Sequence, residues 1–144
     1  TEGGSTITQQ LVKITWLDQS EKTIKRKLVE AVTAMKIEER YDKNKILYIY
    51  LNKVYYGKAG YGIKNASEYY FNKDVSELGL EESAIITGII QNPTLHSPVN
   101  RPESMINRAK TVLSRMLEQE KISAQEELIA KNNLDSVNYI NIRE

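Results

Sequence analysis

Residues 3–10 read Gly-Gly-Ser-Thr-Ile-Thr-Gln-Gln, and no other stretch of the chain gathers so many side chains that could grip a polar ligand. Two consecutive glycines free the backbone for a tight turn with exposed amides, and Ser5 is suited to cap the helix that follows. Along that helix Thr6, Gln9, Gln10 and Lys13 recur at i, i+3, i+4 and i+7, so they share one face. Ile7, Leu11 and Ile14 fall on another face and read as core. A helix start that offers amides, hydroxyls, carboxamides and an ammonium group suits phosphate or sugar oxygens. The bland alternative is a capped surface helix with a polar face.

A second group is Arg26, Lys27 and Glu30, whose spacing of three and four residues sets one carboxylate beside two cations on a helix. An ordinary ion pair on a solvated helix has the same pattern. Asn52 and Tyr55 follow within a Tyr-rich segment, residues 45–57. His96 is the single histidine and sits between Pro93 and Pro98, which reads as a surface loop. Trp16, next to Leu17, suits either a membrane interface or packing within the domain. Tyrosines could stack on sugar faces or sit half-buried.

The elements that position these groups read as helix after helix. Residues 24–40 place Ile24, Leu28, Ala31, Val32 and Met35 on one apolar face. Residues 43–56 repeat the pattern with Ile46, Leu47, Tyr50, Leu51 and Val54, and Gly57 is expected as the C′ residue. A glycine-rich loop spans 57–62, and a short helix is expected over 66–70. Leu80 to Ile90 is apolar almost all round, as in a central buried helix, and Pro93 lies just beyond it. Pro102 suits the first turn of a helix striped by Met105, Ala109, Val112, Leu113 and Met116. Ser123 and Glu126 make a capping box for a last helix. Periodicity is lost over 131–144, which reads as a tail or linker after a domain spanning 1–130. Nothing reads as a strand, so the fold class expected is all-α in a single domain.

Composition narrows the function classes. A chain of 144 residues, 40% hydrophobic and 27% charged, is ordinary for one globular domain. Residues 1–64 carry 12 Lys and Arg against 7 Asp and Glu (+5), while residues 65–144 carry 8 against 12 (−4). The positive half holds the polar clusters, as an anionic substrate would require. Without cysteine there is no disulfide, thiolate or Cys-based zinc chemistry. No run approaches the roughly 18 apolar residues of a membrane span. Gly3-Gly4-Ser5-Thr6 lacks the spacing of a nucleotide-binding phosphate loop. The basic residues are diluted by acids and no nucleic-acid motif appears, so no nucleic-acid partner is expected.

Four segments, in order, resemble the peptidoglycan glycosyltransferase domain of class A penicillin-binding proteins and monofunctional transglycosylases. They are Gly3–Gln10; Arg26-Lys27-Leu28-Val29-Glu30; residues 45–57, Lys-Ile-Leu-Tyr-Ile-Tyr-Leu-Asn-Lys-Val-Tyr-Tyr-Gly; and Arg108-Ala109-Lys110-Thr111-Val112-Leu113. The likeness runs from residue 2 to about residue 128. Tyr48 stands where the family usually has Glu, and Ala109 where it often has a second basic residue. The family's first motif, with the glutamate taken as general base, precedes the Gly-Gly-Ser-Thr motif. The resemblance therefore implies a domain truncated on its N-terminal side, with its membrane anchor also upstream.

The resemblance implies a lysozyme-like, mainly helical fold and polymerisation of lipid II into glycan strands, with inversion and loss of undecaprenyl pyrophosphate. It makes Glu30 the catalytic candidate, near the leaving group. Ser5, Thr6, Gln9, Gln10, Lys13, Arg26, Lys27, Asn52 and Tyr55 become substrate-binding candidates. The one cofactor it leaves room for is a divalent cation, Mg or Mn. Partners would be lipid II, the lipid-linked glycan, the extracytoplasmic membrane surface, a transpeptidase domain in a longer chain and cell-wall synthesis proteins. Two other readings are a lysozyme-like glycan hydrolase, which needs two carboxylates across a cleft, and a non-catalytic remnant that grips lipid pyrophosphate or a protein.

Overall fold

The computed structural model describes residues 4–17 and 22–141. The chain divides into two compact units, Thr1–Val54 and Tyr55–Glu144. Among the described residues there is no strand, only an isolated bridge between Tyr55 and Tyr61.

The first unit contains α1 (Ile7–Trp16), α2 (Ile24–Arg40) and α3 (Lys43–Lys53). Each starts at a polar side chain that accepts an otherwise unpaired backbone N–H. Thr6 Oγ1 accepts from Gln9 N (3.1 Å), Thr23 Oγ1 from Arg26 N (3.1 Å) and Asp42 Oδ1 from Lys45 N (2.8 Å). The cap of α1 is therefore Thr6 and not Ser5. Gln9 lies three residues after Thr6 and returns the bond by accepting from Thr6 N (3.2 Å), which closes a capping box that Ser5 could not form with Thr8. Gly3 lies outside the described residues.

This start sets which arc of α1 is buried. Thr8, Leu11 and Val12 face the interior, while Ile7 and Ile14 are exposed, so of the three expected core residues only Leu11 is one. Trp16 is exposed at the end of the helix. In α2 the stripe of Ile24, Leu28, Val32 and Met35 is also exposed, with Ile24 at 84%. The helix instead buries Glu30 and Ala34, four residues apart, on the side that packs on α1. An apolar stripe predicts burial only if another element comes to cover it. Helix α3 buries Ile46 and Tyr50 and stops at Lys53, where the chain turns extended.

The second unit contains α4 (Ile63–Phe71), α5 (Leu80–Gln91), α6 (Pro102–Glu118) and α7 (Ala124–Asn133), with 3₁₀ turns at Gly57–Ala59, Val75–Glu77 and Leu134–Ser136. Gly57 does not terminate α3 as expected. Its φ of 70° opens the first 3₁₀ turn, and a β-carbon there would meet the Tyr70 hydroxyl at 3.3 Å. As the apolar run implied, α5 is the central element: Ala84, Ile85, Ile86 and Ile89 are buried, and α6 packs on it through Met105, Ala109 and Leu113. Residues 134–141, read from sequence as tail or linker, lie against this unit. Leu134 is buried, Ile140 N donates to Tyr70 O (3.0 Å) and Asn141 Nδ2 donates to Tyr69 O (2.7 Å).

His96 corrects the surface-loop expectation, since it is only 9% exposed. Its Nε2 lies 3.2 Å from Gln91 Oε1, which can only accept, so that nitrogen is assigned the proton and Nδ1 (3.0 Å) accepts from the Ser104 hydroxyl. The ring thus ties the end of α5 to the first turn of α6. Burial, with help from the nearby Arg108, holds the imidazole below its usual range.

The unfolded chain takes up a proton at His96 near pH 6.5, while the folded unit resists it until the pH is lower. Stability is therefore expected to decline as pH falls through about 6.5. The drop in urea midpoint between about pH 7.5 and about pH 5.5 should be smaller in His96→Gln than in wild type. A second expectation concerns the α5–α6 contact, where a β-carbon on Gly88 would lie 3.1 Å from Arg108 Cγ. Gly88→Leu should cost about 1–3 kcal/mol by overpacking, read as a lower melting temperature.

Candidate functional site

Four hydrogen bonds connect the three helices of the first unit through residues singled out from sequence. Tyr50 Oη on α3 donates to Gln10 Oε1 on α1 (2.9 Å). Gln10 Nε2 donates to the Ser5 carbonyl (3.3 Å). Ser5 Oγ accepts from Lys27 Nζ on α2 (2.7 Å), and the same ammonium group donates to Glu30 Oε1 (2.6 Å). The segment before α1, read from sequence as a tight turn with exposed amides, is tied at Ser5 to two helices. Burial pushes the Tyr50 hydroxyl above its usual range. Tyr50 is core, as its place in the apolar stripe implied, and its polar tip also holds Gln10. A Tyr where a Leu would fill the stripe was the available signal.

Glu30 ends this chain and is 1% exposed. Its Oε1 has Lys27, but its Oε2 is buried with no hydrogen-bond partner among the described residues. Glu82 is the other buried carboxylate among the described residues, and the contrast is informative. Glu82 Oε1 pairs with Lys73 Nζ at 2.6 Å, and Oε2 accepts from Gly79 N at 2.9 Å. One carboxylate is closed on both oxygens and structural. The other keeps an oxygen open, and its place beside Lys27 marks it more than the openness alone, since Thr15 Oγ1 and Arg108 Nε are likewise buried without a hydrogen-bond partner among the described residues.

The remaining candidates are spread around this centre. Thr6 and Gln9 are engaged with each other in the capping box, so Gln9 offers its amide nitrogen and not its carbonyl. Lys13 is half-buried on the α1 face that carries the carboxamides. Arg26 is half-buried one residue before Lys27. Asn52 is exposed and donates from Nδ2 to Tyr48 O (2.8 Å), one turn back along α3. Among the described residues no hydrogen bond brings it to Glu30. Tyr55 is exposed and belongs to the second unit. Arg108, the first residue of the last of the four segments, packs its side chain against Gly88 of α5.

A family model described as Transglycosylase matches residues 1–117. The chain belongs to the transglycosylase family. It is 43% identical over 125 residues to penicillin-binding protein 1A of Aquifex aeolicus, covering 87% of this chain and 17% of that protein. It is 44% identical over 130 residues to penicillin-binding protein 1F of Bacillus subtilis, covering 90% of this chain and 18% of that one. The chain thus spans less than a fifth of the length of these relatives. Among solved structures, the crystal structure of penicillin-binding protein 1A from Haemophilus influenzae aligns with a TM-score of 0.56 at 28% identity, over 88% of this chain and 16% of that chain. The fold is all-α and lysozyme-like, as the sequence resemblance implied.

Within this transglycosylase segment the described residues include no group of three or more His, Cys, Asp or Glu placed to hold a metal ion. No helix among the described residues is long and apolar enough to cross a membrane.

The open oxygen and the Lys27 pair make an asymmetric prediction for stability. Lys27→Met takes the ammonium group away from the buried Glu30 Oε1 and should cost about 1–3 kcal/mol or more. Glu30→Met removes the charge and the bare oxygen together, while Lys27 is 54% exposed and can turn to water. That variant should melt at or above the wild-type temperature, as buried functional polar groups often do when replaced. Thermal denaturation of the two variants side by side checks the order.

Proposed function

We propose that this chain is the polymerising part of a peptidoglycan glycosyltransferase, joining lipid-linked disaccharides into glycan strands at the outer face of a bacterial cytoplasmic membrane. The observation that carries this reading is Glu30: a buried carboxylate with one open oxygen, beside a cation, in a member of the transglycosylase family. The donor is the growing glycan on undecaprenyl pyrophosphate, and the acceptor is the 4-hydroxyl of the incoming lipid II sugar. The acceptor oxygen bonds to the donor's anomeric carbon, the bond from that carbon to pyrophosphate breaks, and the configuration inverts. A carboxylate must take the hydroxyl proton, and cations must steady the charge that grows on the departing phosphates.

The first unit supplies groups of both kinds. Lys13, Arg26 and Lys27 are the pyrophosphate ligands, Arg26 in a two-pronged contact and the lysines as point charges. Gln9 Nε2 and the Ser5 and Thr6 hydroxyls orient sugar or phosphate oxygens. Glu30, paired with Lys27, positions a cation or hydroxyl near the leaving group instead of donating a proton.

Lipid II polymerisation, followed as lengthened glycan, tests the reading with this chain and with a version extended upstream through the family's first motif. Glycan from either version supports it, and Glu30→Gln in the active version should slow polymerisation about a hundredfold. An unchanged rate would remove Glu30 from the mechanism. Shortened wall fragments, or no glycan from either version, would overturn the function itself.

A further inference from the structure

The second unit presents two tyrosine rings to solvent on a turn that is fixed from beneath. Tyr55 is 45% exposed and Tyr61 is 67% exposed. Their ring centroids are 5.1 Å apart with planes at 49°, so the pair opens as a wedge and does not stack flat. Neither hydroxyl has a partner among the described residues.

The backbone between the rings is closely constrained. Tyr55 and Tyr61 form an antiparallel bridge, Tyr56 N donates to Gly60 O (2.8 Å), and Gly60 N donates to Gly57 O (2.9 Å). Gly57 and Gly60 take φ values of 70° and 79°, a region closed to most side chains. Tyr56 is fully buried, and its carbonyl accepts from Tyr70 Oη (2.6 Å), a hydroxyl that burial pushes up to about 12. On the other side, Asn65 Nδ2 at the start of α4 holds the Tyr61 carbonyl (2.8 Å). Both exposed residues are thus flanked by anchored backbone, and only their side-chain torsions remain free.

Fixed, exposed tyrosines offer large amphipathic contact area at low entropic cost, which is the arrangement a binding surface needs and a core does not. The faces of pyranose rings present C–H groups of slight positive charge, which match the negative face of an aromatic ring. The outward hydroxyls suit the sugar's own hydroxyls. We infer that Tyr61, together with Tyr55, forms a platform on which a pyranose ring of the glycan strand stacks. This rests on the glycosyltransferase reading above for the identity of the ligand as a β-1,4-linked N-acetylated aminosugar chain. Tyr61 is a binding and specificity residue: it grips the strand and takes no part in bond making.

The test is a titration of the chain with a soluble tetramer of β-1,4-linked N-acetylglucosamine, following the tyrosine ring protons by NMR. The Tyr55 and Tyr61 signals should move on titration. Tyr61→Leu should weaken binding about three- to tenfold, the range of aromatic pair energies, while Tyr61→Phe stays close to wild type. Melting temperatures of both variants control for folding, and Tyr55→Leu provides a second, independent loss. The inference is overturned if the tetramer leaves both ring signals unmoved, or if Tyr61→Leu folds and binds as wild type does. Lipid II polymerisation by this chain and by the version extended upstream separates the two readings. Polymerisation by either version without tetramer binding sinks the platform alone, whereas no polymerisation by either version and no tetramer binding sinks both.

Discussion

Glu30 is a carboxylate almost wholly withdrawn from water, and it is paired with the Lys27 ammonium group, which is itself half in solvent. Removing a carboxylate from water costs several kcal/mol after relaxation, and a half-exposed partner offsets only part of that. The hydrogen bonds behind Lys27 supply geometry more than energy. Ser5 Oγ fixes the ammonium group, Gln10 fixes the Ser5 carbonyl, and Tyr50 fixes Gln10. Each is worth about 1 kcal/mol net. Their value lies in linking α1, α2 and α3 so that the carboxylate cannot turn out to solvent without breaking the series.

The two units treat buried charge differently. In the second unit Glu82 has a partner for each oxygen, His96 for each ring nitrogen, and the buried Ser67 hydroxyl donates to Lys73 O at 2.7 Å. Around them, α5 supplies an apolar interior that does not depend on those polar contacts. In the first unit a buried oxygen is open, and an apolar stripe of α2 faces solvent. Polar satisfaction and apolar burial are what folding alone rewards, and the second unit meets both at its buried carboxylate and imidazole, though Arg108 Nε there is buried without a hydrogen-bond partner among the described residues. The first has features that only something bound would complete.

What could be read in the sequence followed the strength of local rules. The run Leu80–Ile90, Pro102 at a first turn and the Ser123–Glu126 box all appear as expected, because period, proline geometry and capping act within a few residues. The Arg26, Lys27 and Glu30 spacing likewise yielded the Lys27–Glu30 pair. Most failures required knowledge of distant neighbours, but the Ser5 cap did not, since Thr6-x-x-Gln9 is itself a local capping-box pattern. Ser5 and Thr6 are both good caps, and only the reciprocal bond from Gln9 decides between them. Ile7, Ile14 and the α2 stripe have the period of a core, but period cannot say which face meets another helix. His96 lies in a loop by every local sign, yet Gln91 and Ser104 draw it inside. The open oxygen of Glu30 had no sequence signal at all, since it is defined by a contact that is missing.

The same hydrogen-bond series constrains how an anion could bind. Lys27 Nζ already donates to Ser5 Oγ and Glu30 Oε1, so at most one of its three protons is uncommitted. A pyrophosphate oxygen must either take that last proton or displace Ser5. The second route is the less costly one, because Ser5 Oγ can turn and give its own proton to the same phosphate. Displacing Glu30 would instead strand a buried carboxylate with no partner on either oxygen. Binding at this point would thus be an exchange of hydrogen bonds in which the Lys27–Glu30 contact persists and the Ser5 contact is traded. The net gain per contact is small, and discrimination comes from geometry: only an oxygen placed between Ser5 and Lys27 leaves every buried donor and acceptor it touches satisfied.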